Sequence, residues 1–385
     1  MKNILYINNG SGLSDVQSGG AARHIETARI LGKSCKIYCV TTLGGLGNYR
    51  NNGLKFNGEF VVASHIWKKR ESSNLDRLVS YFISTLHSLY LVVFRKLPRA
   101  DVVYSTSDYF CDVIPAVFYK IIYGAKYVSM VHHRTKSPFK RSGNFLFNFL
   151  SFLFQRVGFR VVHYFSDALL VYDTPEGQSI VGVISPRKHY FVKNGINMSA
   201  IEAAVPKKDW FEASFAGGLR ETKGIFDLVQ IWVSVVAKHP SWCVAVAGGG
   251  TVEVTNQLKG KIKQVGLTNN IILLGPLQPR NLYRLIKSSA VFISASHEEG
   301  WGISVLEAVA LGTPVVAYKL PAFSYLGAMI IRVPLFDHTR MADEIIRVVE
   351  DKELHKTLSE KGMNFARQYD WRLVGEEELK IINEI

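Results

Sequence analysis

Residues 290–318 read AVFISASHEEGWGISVLEAVALGTPVVAY, and the pattern predicts a strand, a turn, a helix and the start of another strand. Ala290–Ser294 is a short β-branched and aromatic run, whereas residues 303–311 place apolar side chains at helical spacing. Gly300 and Gly302 lie in the turn between them. Strands that alternate with helices in this way are typical of a parallel α/β sheet.

The turn has the chemistry of a site for an anion beside a sugar. Backbone N–H groups in the first turn of a helix have no intrahelical partner and carry the positive end of the helix dipole. Glu299 lies before the predicted helix and Glu307 lies within it. Because an ionised carboxylate offers only hydrogen-bond acceptors, it suits the neighbouring hydroxyls of a sugar or a ribose.

With Ser296 upstream and Gly300, Trp301 and Gly302 between the carboxylates, the spacing of Glu299 and Glu307 resembles the E-x7-E signature of the retaining GT-B glycosyltransferases of family 4. The resemblance implies that Glu307 holds the ribose of a nucleotide sugar. It implies that Glu299 holds hydroxyls of the transferred sugar, and that the amides from Gly300 to Ile303 face the diphosphate and sugar. Two glutamates at this spacing alone would more often be solvated helix residues. The interpretation therefore depends on their occurrence together with the serine, glycines and tryptophan of the motif.

A second match to the family is the predicted loop Gly217–Gly224, which reads GGLRETKG. The resemblance implies that Lys223 lies at the donor diphosphate and stabilises the charge of the departing nucleotide. Relatives carry an arginine five residues before this lysine, where this chain has Gly218, while Arg220 lies three residues before it. Either Arg220 reaches the diphosphate instead, or Lys223 acts with fewer partners.

Further loops resemble family loops around the donor. Gly249 follows a predicted buried strand, and Leu277 follows another, beside the expected position of the nucleotide base. Gly19 and Gly20 begin the first predicted helix, where they provide free amides and allow a ligand to approach. These glycines lack the spacing of a dinucleotide fingerprint, so they are weak evidence by themselves.

His132 ends a predicted buried strand, at the edge where ligands bind in open α/β sheets. The resemblance points to His132 as the catalytic-site histidine that contacts the donor sugar near its anomeric carbon. The adjacent His133 competes for this role, and a partly buried histidine that makes a loop hydrogen bond is the alternative.

The length of 385 residues favours two domains. The resemblance implies a GT-B fold, in which two doubly wound, Rossmann-like α/β domains face a central cleft. We expect an acceptor-binding domain over residues 1–204 and a nucleotide-sugar donor-binding domain over residues 205–365. Residues 366–385 are expected to form a helix that returns to the N-terminal domain.

Four scattered cysteines favour buried thiols in a reducing compartment rather than a disulfide framework or a zinc site. The first apolar segment is too short for a signal peptide, and no uninterrupted apolar run reaches the ~18 residues of a membrane helix. The protein is therefore predicted to be cytoplasmic.

The formal net charge is +14, and residues 1–200 carry 25 Lys and Arg against 11 Asp and Glu. All of the excess therefore lies in the N-terminal half. This asymmetry predicts an anionic partner, namely a membrane surface, a phosphorylated acceptor or nucleic acid. The sequence lacks a helix-turn-helix, RNP or zinc pattern, which argues against nucleic acid.

Two apolar segments in this basic half, residues 78–94 and 144–154, border clusters of Lys and Arg. Aromatic helices with basic borders are typical of helices that lie at a membrane interface. Core helices with a solvated basic rim are the alternative. The residues expected on the membrane and acceptor side are Lys140, Arg141, Phe145, Phe149, Phe152 and Arg156.

The resemblance thus implies a retaining hexosyltransferase. We expect it to need no metal and no cofactor, because no carboxylate cluster or His cluster in the sequence has metal-ligand spacing. Its expected acceptor is a lipid-linked or cell-surface glycan. The protein itself is expected to lie peripherally at the inner face of the cell membrane. The alternatives are a nucleotide-sugar epimerase or hydrolase on the same fold, and an inactive donor-binding scaffold of a glycan-assembly complex.

Overall fold

The computed structural model of the protein describes residues 1–10, 19–64, 74–135, 137–140, 145–206 and 211–385. The chain divides into two compact units. Unit 1 contains Met1–Asn194 and Trp371–Ile385, and unit 2 contains Gly195–Asp370. The sequence places the first boundary after residue 204, whereas the structure places it after Asn194, where the last strand of unit 1 has just ended.

Unit 1 is built on a parallel sheet that has seven strands among the described residues, in the order β3-β2-β1-β4-β5-β6-β7. The central strands are apolar on both faces, as expected when helices cover both sides of a parallel sheet. The strands are β1 Asn3–Asn8, β2 Lys36–Thr42, β3 Gly58–Val62, β4 Val102–Ser105, β5 Lys126–Val131, β6 Ala168–Tyr172 and β7 His189–Val192.

In the described part of unit 1, six helices connect consecutive strands, and a short 3₁₀ helix spans Pro138–Lys140. The core of the unit lies between sheet and helices, and includes Leu5, Val103 and Tyr127. The helices are α1 Gly19–Leu31, α2 Leu43–Asn51, α3 Asn74–Val93, α4 Phe110–Tyr123, α5 Phe145–Phe165 and α6 Pro175–Ile184.

Unit 2 has a parallel sheet with six strands among the described residues, in the order β10-β9-β8-β11-β12-β13. The strands are β8 Phe211–Ala216, β9 Val244–Ala247, β10 Ile271–Gly275, β11 Ser289–Ser294, β12 Val315–Tyr318 and β13 Ile331–Val333. The helices are α7 Met198–Glu202, α8 Ile225–Lys238, α9 Val252–Gln264, α10 Pro279–Lys287, α11 Ile303–Ala310, α12 His338–Glu350 and α13 Lys352–Ala366. Short 3₁₀ helices span Glu221–Lys223, Pro321–Met329 and Arg367–Tyr369.

In each sheet the chain order reverses beside the first strand of the unit. This switch point lies between β1 and β4 in unit 1 and between β8 and β11 in unit 2. Loops that leave the carboxyl ends of the two strands diverge at a switch point and form the usual ligand crevice of such sheets. The fold prediction of two α/β Rossmann-like domains is therefore confirmed, and the loops after β8 and β11 are the place to look for a site.

The last helix, α14 Trp371–Glu384, belongs to unit 1, where it packs against α1. Gly375 faces Ile30 so closely that a Cβ on this glycine would lie 2.6 Å from the Ile30 Cβ. The Arg23 guanidinium forms an ion pair with the Glu378 carboxylate, and both side chains are fully buried. A charged pair and a close helix contact thus attach the end of the chain to its beginning.

Helix α5 is longer than the apolar segment 144–154 in the sequence, because Gln155, Arg156 and Arg160 interrupt the apolar run without ending the helix. Within the described residues it is the one helix whose length and composition would allow it to cross a membrane. However, Gln155 and Phe159 are buried against the rest of unit 1. One face of α5 is therefore covered by protein.

Candidate active site

The loop after β8 carries Lys223 to the switch point of unit 2. It ends in the 3₁₀ helix Glu221–Lys223, and Gly224 follows with a φ of 70° and caps α8. A Cβ on Gly224 would lie 1.9 Å from the carbonyl oxygen of Ala295, at the end of β11. Only glycine fits this contact and this backbone conformation. The close approach brings Lys223 against the loop that follows β11.

The loop after β11 contains Ser296, Glu299 and the glycine turn, and ends where Gly302 caps α11 with a φ of 85°. A Cβ on Gly302 would lie 2.4 Å from the Phe323 ring, so this position also requires glycine. The main-chain N–H of His297 donates to the Thr222 carbonyl at 2.9 Å. This hydrogen bond joins the two loops one residue away from Lys223.

Lys223 and Glu299 form an ion pair at the junction of these loops. Lys223 Nζ lies 2.5 Å from Glu299 Oε1, and Ser296 Oγ donates to the same oxygen at 2.8 Å. Both charged side chains are largely buried, with 22% and 11% of their surfaces exposed. Among the residues singled out from the sequence, these three are brought into direct contact. The arrangement places a cation and a carboxylate beside the first turn of α11, where backbone amides favour an anion.

Glu307 lies on α11 and is half-buried. Tyr283 Oη on α10 donates to Glu307 Oε1 at 2.7 Å. Burial raises the pKa of the Glu307 carboxyl to about 7, while the hydrogen bond from Tyr283 acts in the opposite direction. Tyr283 is a partner that the sequence analysis missed, since a tyrosine on a neighbouring helix gives no signal in the spacing of the motif.

The Trp301 side chain packs into the protein and not toward a ligand position. It is buried, and it stacks on Tyr325 with ring centroids 4.2 Å apart and on the edge of Tyr369 at 6.0 Å. The main chain of Gly300, Trp301 and Gly302 is therefore the part of this turn that can contact a ligand. Its role at the donor diphosphate stays a prediction, as does that of Ile303, the first residue of α11.

The glycines after β9 pack against the loop that carries Arg220. Leu219 N donates to the Gly249 carbonyl at 2.8 Å, and a Cβ on Gly248 would lie 1.8 Å from the Gly217 carbonyl oxygen. The Leu277 side chain packs against the small apolar cluster of Ala245, Ala247 and Leu285. Gly249 and Leu277 thus offer main-chain groups at the same edge of the sheet.

Arg220 is exposed and precedes the 3₁₀ helix that ends at Lys223. Its guanidinium lies beside Gly218, because a Cβ on this glycine would be 3.3 Å from Arg220 Nε. The structure therefore places a cation next to the position at which the resembled family carries its arginine.

A second polar cluster supports the loop with Glu299. The Asp227 carboxylate in the first turn of α8 lies 3.0 Å from His297 Nε2 and 3.4 Å from His338 Nε2, and Tyr318 Oη donates to it at 3.1 Å. Burial would raise the pKa of Asp227, but the hydrogen bond and charge of His297, with the Tyr318 and His338 contacts, hold it below its usual range. The sequence did not identify these contacts, because the four residues lie on four different segments.

His132 in unit 1 has both ring nitrogens engaged. Nε2 lies 2.9 Å from the Thr106 carbonyl oxygen, and Nδ1 lies 3.0 Å from Tyr172 Oη. The carbonyl can only accept, so Nε2 carries the proton and Nδ1 accepts from the tyrosine. Burial lowers the pKa of His132 to about 3, against the opposing effect of the Thr106 hydrogen bond. The ring is therefore neutral near pH 7, and the predicted contact of His132 with a donor sugar stays a prediction.

His24 lies beside this histidine, with the two Nε2 atoms 3.3 Å apart. Burial lowers the pKa of His24 well below its usual value, and electrostatic interaction with the neighbouring His132 and Arg23 acts in the same direction. Gly19 and Gly20 begin α1 as expected, but residues 11–18 of the preceding loop lie outside the described residues. The anion-binding role of this loop also stays a prediction.

The residues expected on the membrane and acceptor side lie on or near α5. Phe145 and Phe149 are exposed, and the Arg156 guanidinium lies 4.9 Å above the Phe152 ring. Arg141 and the side chain of Lys140 lie outside the described residues. The exposed positions of Phe145 and Phe149 are compatible with the expected role, which stays a prediction.

Comparison with known protein sequences matches a part of the chain that lies within unit 2 to one family model. The sequence model of the family described as "Glycosyl transferases group 1" matches residues 200–365. A D-inositol 3-phosphate glycosyltransferase of Corynebacterium jeikeium is 27% identical over 182 residues, which are 44% of this chain and 43% of that protein. A phosphatidyl-myo-inositol mannosyltransferase of Mycobacterium leprae is 25% identical over 203 residues, which are 50% of this chain and 53% of that protein. The chain spans about half the length of the curated relatives it matches.

Solved structures match the whole chain. HepE from Anabaena, crystallised with UDP and glucose, has a TM-score of 0.78 and 15% identity, with 100% of both chains covered. At this identity the likeness shows the fold alone. The family's sequence model therefore covers nearly all of unit 2, including Lys223, Glu299 and Glu307, and the solved structures extend the GT-B fold to the entire chain.

Proposed function

We propose that the chain is a retaining glycosyltransferase of family 4 that transfers a hexosyl group from a nucleotide diphosphate sugar to an acceptor hydroxyl. The observation that carries the proposal is the ion pair of Lys223 and Glu299, at 2.5 Å, between the loops that leave β8 and β11. The match of residues 200–365 to group 1 glycosyl transferases supports it.

Donor binding in unit 2 is proposed to use both hydrogen-bond donors with positive charge and carboxylates that accept hydrogen bonds. The α11 amides and Lys223 suit the diphosphate, whereas the Glu299 and Glu307 carboxylates suit hydroxyl groups of the sugar and ribose. Because Lys223 and Glu299 are paired with each other, each is held near its place by the other. A bound diphosphate would take over Lys223 and leave Glu299 to the sugar hydroxyls.

The transfer is proposed to occur on one face of the sugar. The bond from the anomeric carbon to the diphosphate oxygen breaks as the acceptor oxygen forms its bond to the same carbon. The acceptor proton passes to the departing diphosphate oxygen. Lys223 stabilises the charge that develops on this leaving group, and Arg220 is the candidate second cation. Since these cations supply the charge that a metal ion would otherwise provide, the reaction is proposed to need no metal.

The acceptor is proposed to be a lipid-linked or cell-surface glycan, reached from the inner face of the cell membrane. The charge excess of residues 1–200 and the exposed aromatic residues of α5 support contact with an anionic membrane. The name of the Mycobacterium leprae relative, a phosphatidyl-myo-inositol mannosyltransferase, is consistent with a lipid acceptor.

A panel of UDP-, GDP-, TDP- and ADP-sugars tests the proposal, first by the increase in Tm that each gives and then by transfer to candidate acceptors. We expect one nucleotide to stabilise the protein, transfer that requires an acceptor and persists in EDTA, and a product with the donor's anomeric configuration by NMR. Release of free sugar without an acceptor would indicate a hydrolase, and a changed sugar would indicate an epimerase. Tight nucleotide binding without any turnover would indicate a scaffold.

A further inference from the structure

Helix α3 exposes a stripe of large apolar side chains to solvent, as α5 does. Phe82, Leu86 and Tyr90 follow one another at four-residue spacing, so they lie on one side of α3, and Phe94 continues the stripe just beyond its end. Leu86 is 67% exposed and Phe94 is 65% exposed. In a folded domain, apolar side chains of this size are normally covered, and a contiguous exposed set marks an interaction surface.

The stripe on α5 has the same character. Leu146, Phe149, Leu153 and Val157 recur at spacings of three or four residues and are all exposed, and Leu146 is 64% exposed. Tyr164 extends the same side toward the end of the helix, with 66% of its surface exposed. The α5 stripe is therefore about as long as the helix itself.

The stripes belong to neighbouring helices. Both α3 and α5 pack against α4, and Phe82 of α3 meets Phe154 of α5 with ring centroids 5.9 Å apart. On α4, Ile121 is also exposed. We call this surface the two-helix face, and define it by the exposed side chains Phe82, Leu86, Tyr90, Phe94, Leu146, Phe149, Leu153, Val157 and Tyr164.

Few acidic side chains lie on the helices of the two-helix face. Helices α3, α4 and α5 contain two carboxylates, Asp76 in the first turn of α3 and Asp112, which is fully buried. Basic side chains border the surface at Lys96, whose Nζ lies 4.6 Å from the centroid of the Tyr90 ring, and at Arg160 on α5. An apolar surface with a basic border and few acidic groups complements an anionic lipid bilayer.

The opposite side of α5 is fixed in unit 1. Gln155 Nε2 donates to Asp108 Oδ2 at 2.7 Å, and Gln155 Oε1 accepts from Thr135 N at 2.7 Å. A Cβ on Gly158 would lie 2.4 Å from the Asp108 carbonyl oxygen, so the helix touches the loop after β4. A helix held in this way can present one side to lipid, but lipid cannot surround it.

We propose that the two-helix face docks unit 1 on an anionic bilayer, with α3 and α5 both at the lipid interface and α5 lying along the membrane instead of crossing it. The proposal deepens the membrane contact in the proposed function, on which it rests, and gives the predicted interfacial segment 78–94 a place on α3 in the same docking surface as α5. It depends on surface chemistry alone and needs no donor sugar.

The test is sedimentation of the full-length protein with phosphatidylglycerol/phosphatidylcholine vesicles and with pure phosphatidylcholine vesicles. We expect binding to the anionic vesicles that decreases with added salt. Leu86→Glu on α3 and Leu146→Glu on α5 should each lower the partition coefficient about tenfold or more, because an inserted leucine is lost and a charge is introduced. Val252 on α9, which is 61% exposed, gives the matched control, and Val252→Glu should bind as the wild type does.

Other outcomes would overturn the proposal. An unchanged Leu86→Glu variant would exclude α3 from the docking face. Retention of the protein in vesicles after alkaline carbonate extraction would indicate a spanning helix. A wild-type dimer that fails to bind vesicles, and that Leu86→Glu converts to a monomer, would assign the face to a second copy of the chain. None of these readouts requires transfer activity, so a failure of the proposed enzymatic function would be seen separately.

Discussion

The guanidinium of Arg220 lies against the backbone of Gly218, where a Cβ would be 3.3 Å from Arg220 Nε and 3.8 Å from Cζ. A Cβ at position 218 would therefore be in tight contact with Arg220, which would have to shift by a few tenths of an ångström. The glycine that departs from the family pattern and the arginine two residues later are thus direct neighbours in space. This relationship makes Arg220 the residue to test as the second cation beside Lys223.

Replacing Arg220 with alanine should lower kcat by about tenfold to a hundredfold. The range lies below the typical effect of losing a preorganised buried donor because Arg220 is exposed. Steady-state kinetics with saturating donor will measure the effect. The double variant Gly218→Arg/Arg220→Ala should recover part of the activity, since it moves the cation to the neighbouring position. Unchanged kcat in Arg220→Ala would show that Arg220 is only a surface residue.

Replacing Lys223 with methionine should reduce kcat by about two to three orders of magnitude, because a fixed positive charge at the developing anion is lost. Lys223→Arg should retain more activity, since it keeps the charge. Lys238 provides a matched control, because it also forms an ion pair, 2.8 Å from Asp343, but both partners are largely exposed. Equal kcat values for Lys223→Met and Lys238→Met would remove Lys223 from the mechanism.

Glu307→Ala should raise the KM for the donor and leave kcat nearly unchanged, because ribose hydroxyls are held equally in the ground state and the transition state. Calorimetric titration with the nucleotide diphosphate should show the same loss of affinity. A fall in kcat at constant donor KM would contradict the ribose role and would place Glu307 closer to the reacting atoms.

The donor affinity should also depend on pH. Burial raises the pKa of Glu307 to about 7, and the ionised carboxylate is the form that accepts hydroxyl hydrogen bonds. Donor binding should therefore strengthen as pH rises through about 7 and level off above it. Glu307→Gln should abolish this dependence. Tyr283→Phe should move its midpoint to higher pH, because the tyrosine hydrogen bond favours the ionised form.

The same pKa has a consequence for stability. Because the pKa of Glu307 is higher in the folded protein than the ordinary glutamate value, the folded state binds more protons than the unfolded state between these two values. The contribution of Glu307 to stability is thus fully present at low pH and is lost as pH rises through about 7. As pH rises toward about 7, the Tm of the wild type should therefore fall more than the Tm of Glu307→Gln. Equal pH profiles of Tm for the two proteins would contradict the raised pKa of Glu307.

The sequence predicted the turn of the site well because glycines determine it. Gly302 and Gly312 have positive φ angles and lie at the two ends of α11, and the expected helix over residues 303–311 differs from Ile303–Ala310 by one residue. The strand before the turn was similarly clear, since its apolar run is short and ends in polar residues. Local backbone requirements of this kind can be read from a single segment.

Contacts between segments could not be predicted in this way. The pairing of Lys223 with Glu299 depends on the close approach of Gly224 to Ala295, which joins two loops that are far apart in sequence. The Tyr283 contact to Glu307 likewise depends on how α10 packs against α11. The family resemblance supplied roles for the carboxylates and the lysine, but not the partners that hold these side chains in place.

The buried ion pair of Arg23 and Glu378 gives a prediction about stability. Glu378→Ala would leave the Arg23 guanidinium uncompensated in the interior of unit 1, and removing one partner of a buried pair costs about 3–5 kcal/mol. We expect a decrease of this size in the free energy of unfolding, measured by urea denaturation of the full chain. The neighbouring Glu377 provides a control, because its pair with Lys193 is long, at 3.8 Å, and partly exposed. Glu377→Ala should change the free energy by less than about 0.5 kcal/mol.

A double variant distinguishes the charge from the packing of α14 against α1. Arg23→Met/Glu378→Leu removes both charges and keeps most of the buried volume, and such replacements are often neutral or stabilising. It should therefore recover most of the stability lost in Glu378→Ala. If the double variant is as unstable as the single one, the hydrogen bonds of Arg23, including the one to the Lys193 carbonyl, contribute more than the pairing of the charges. If Glu378→Ala is as stable as Glu377→Ala, the attachment of α14 to unit 1 depends on apolar contacts such as that of Gly375 with Ile30.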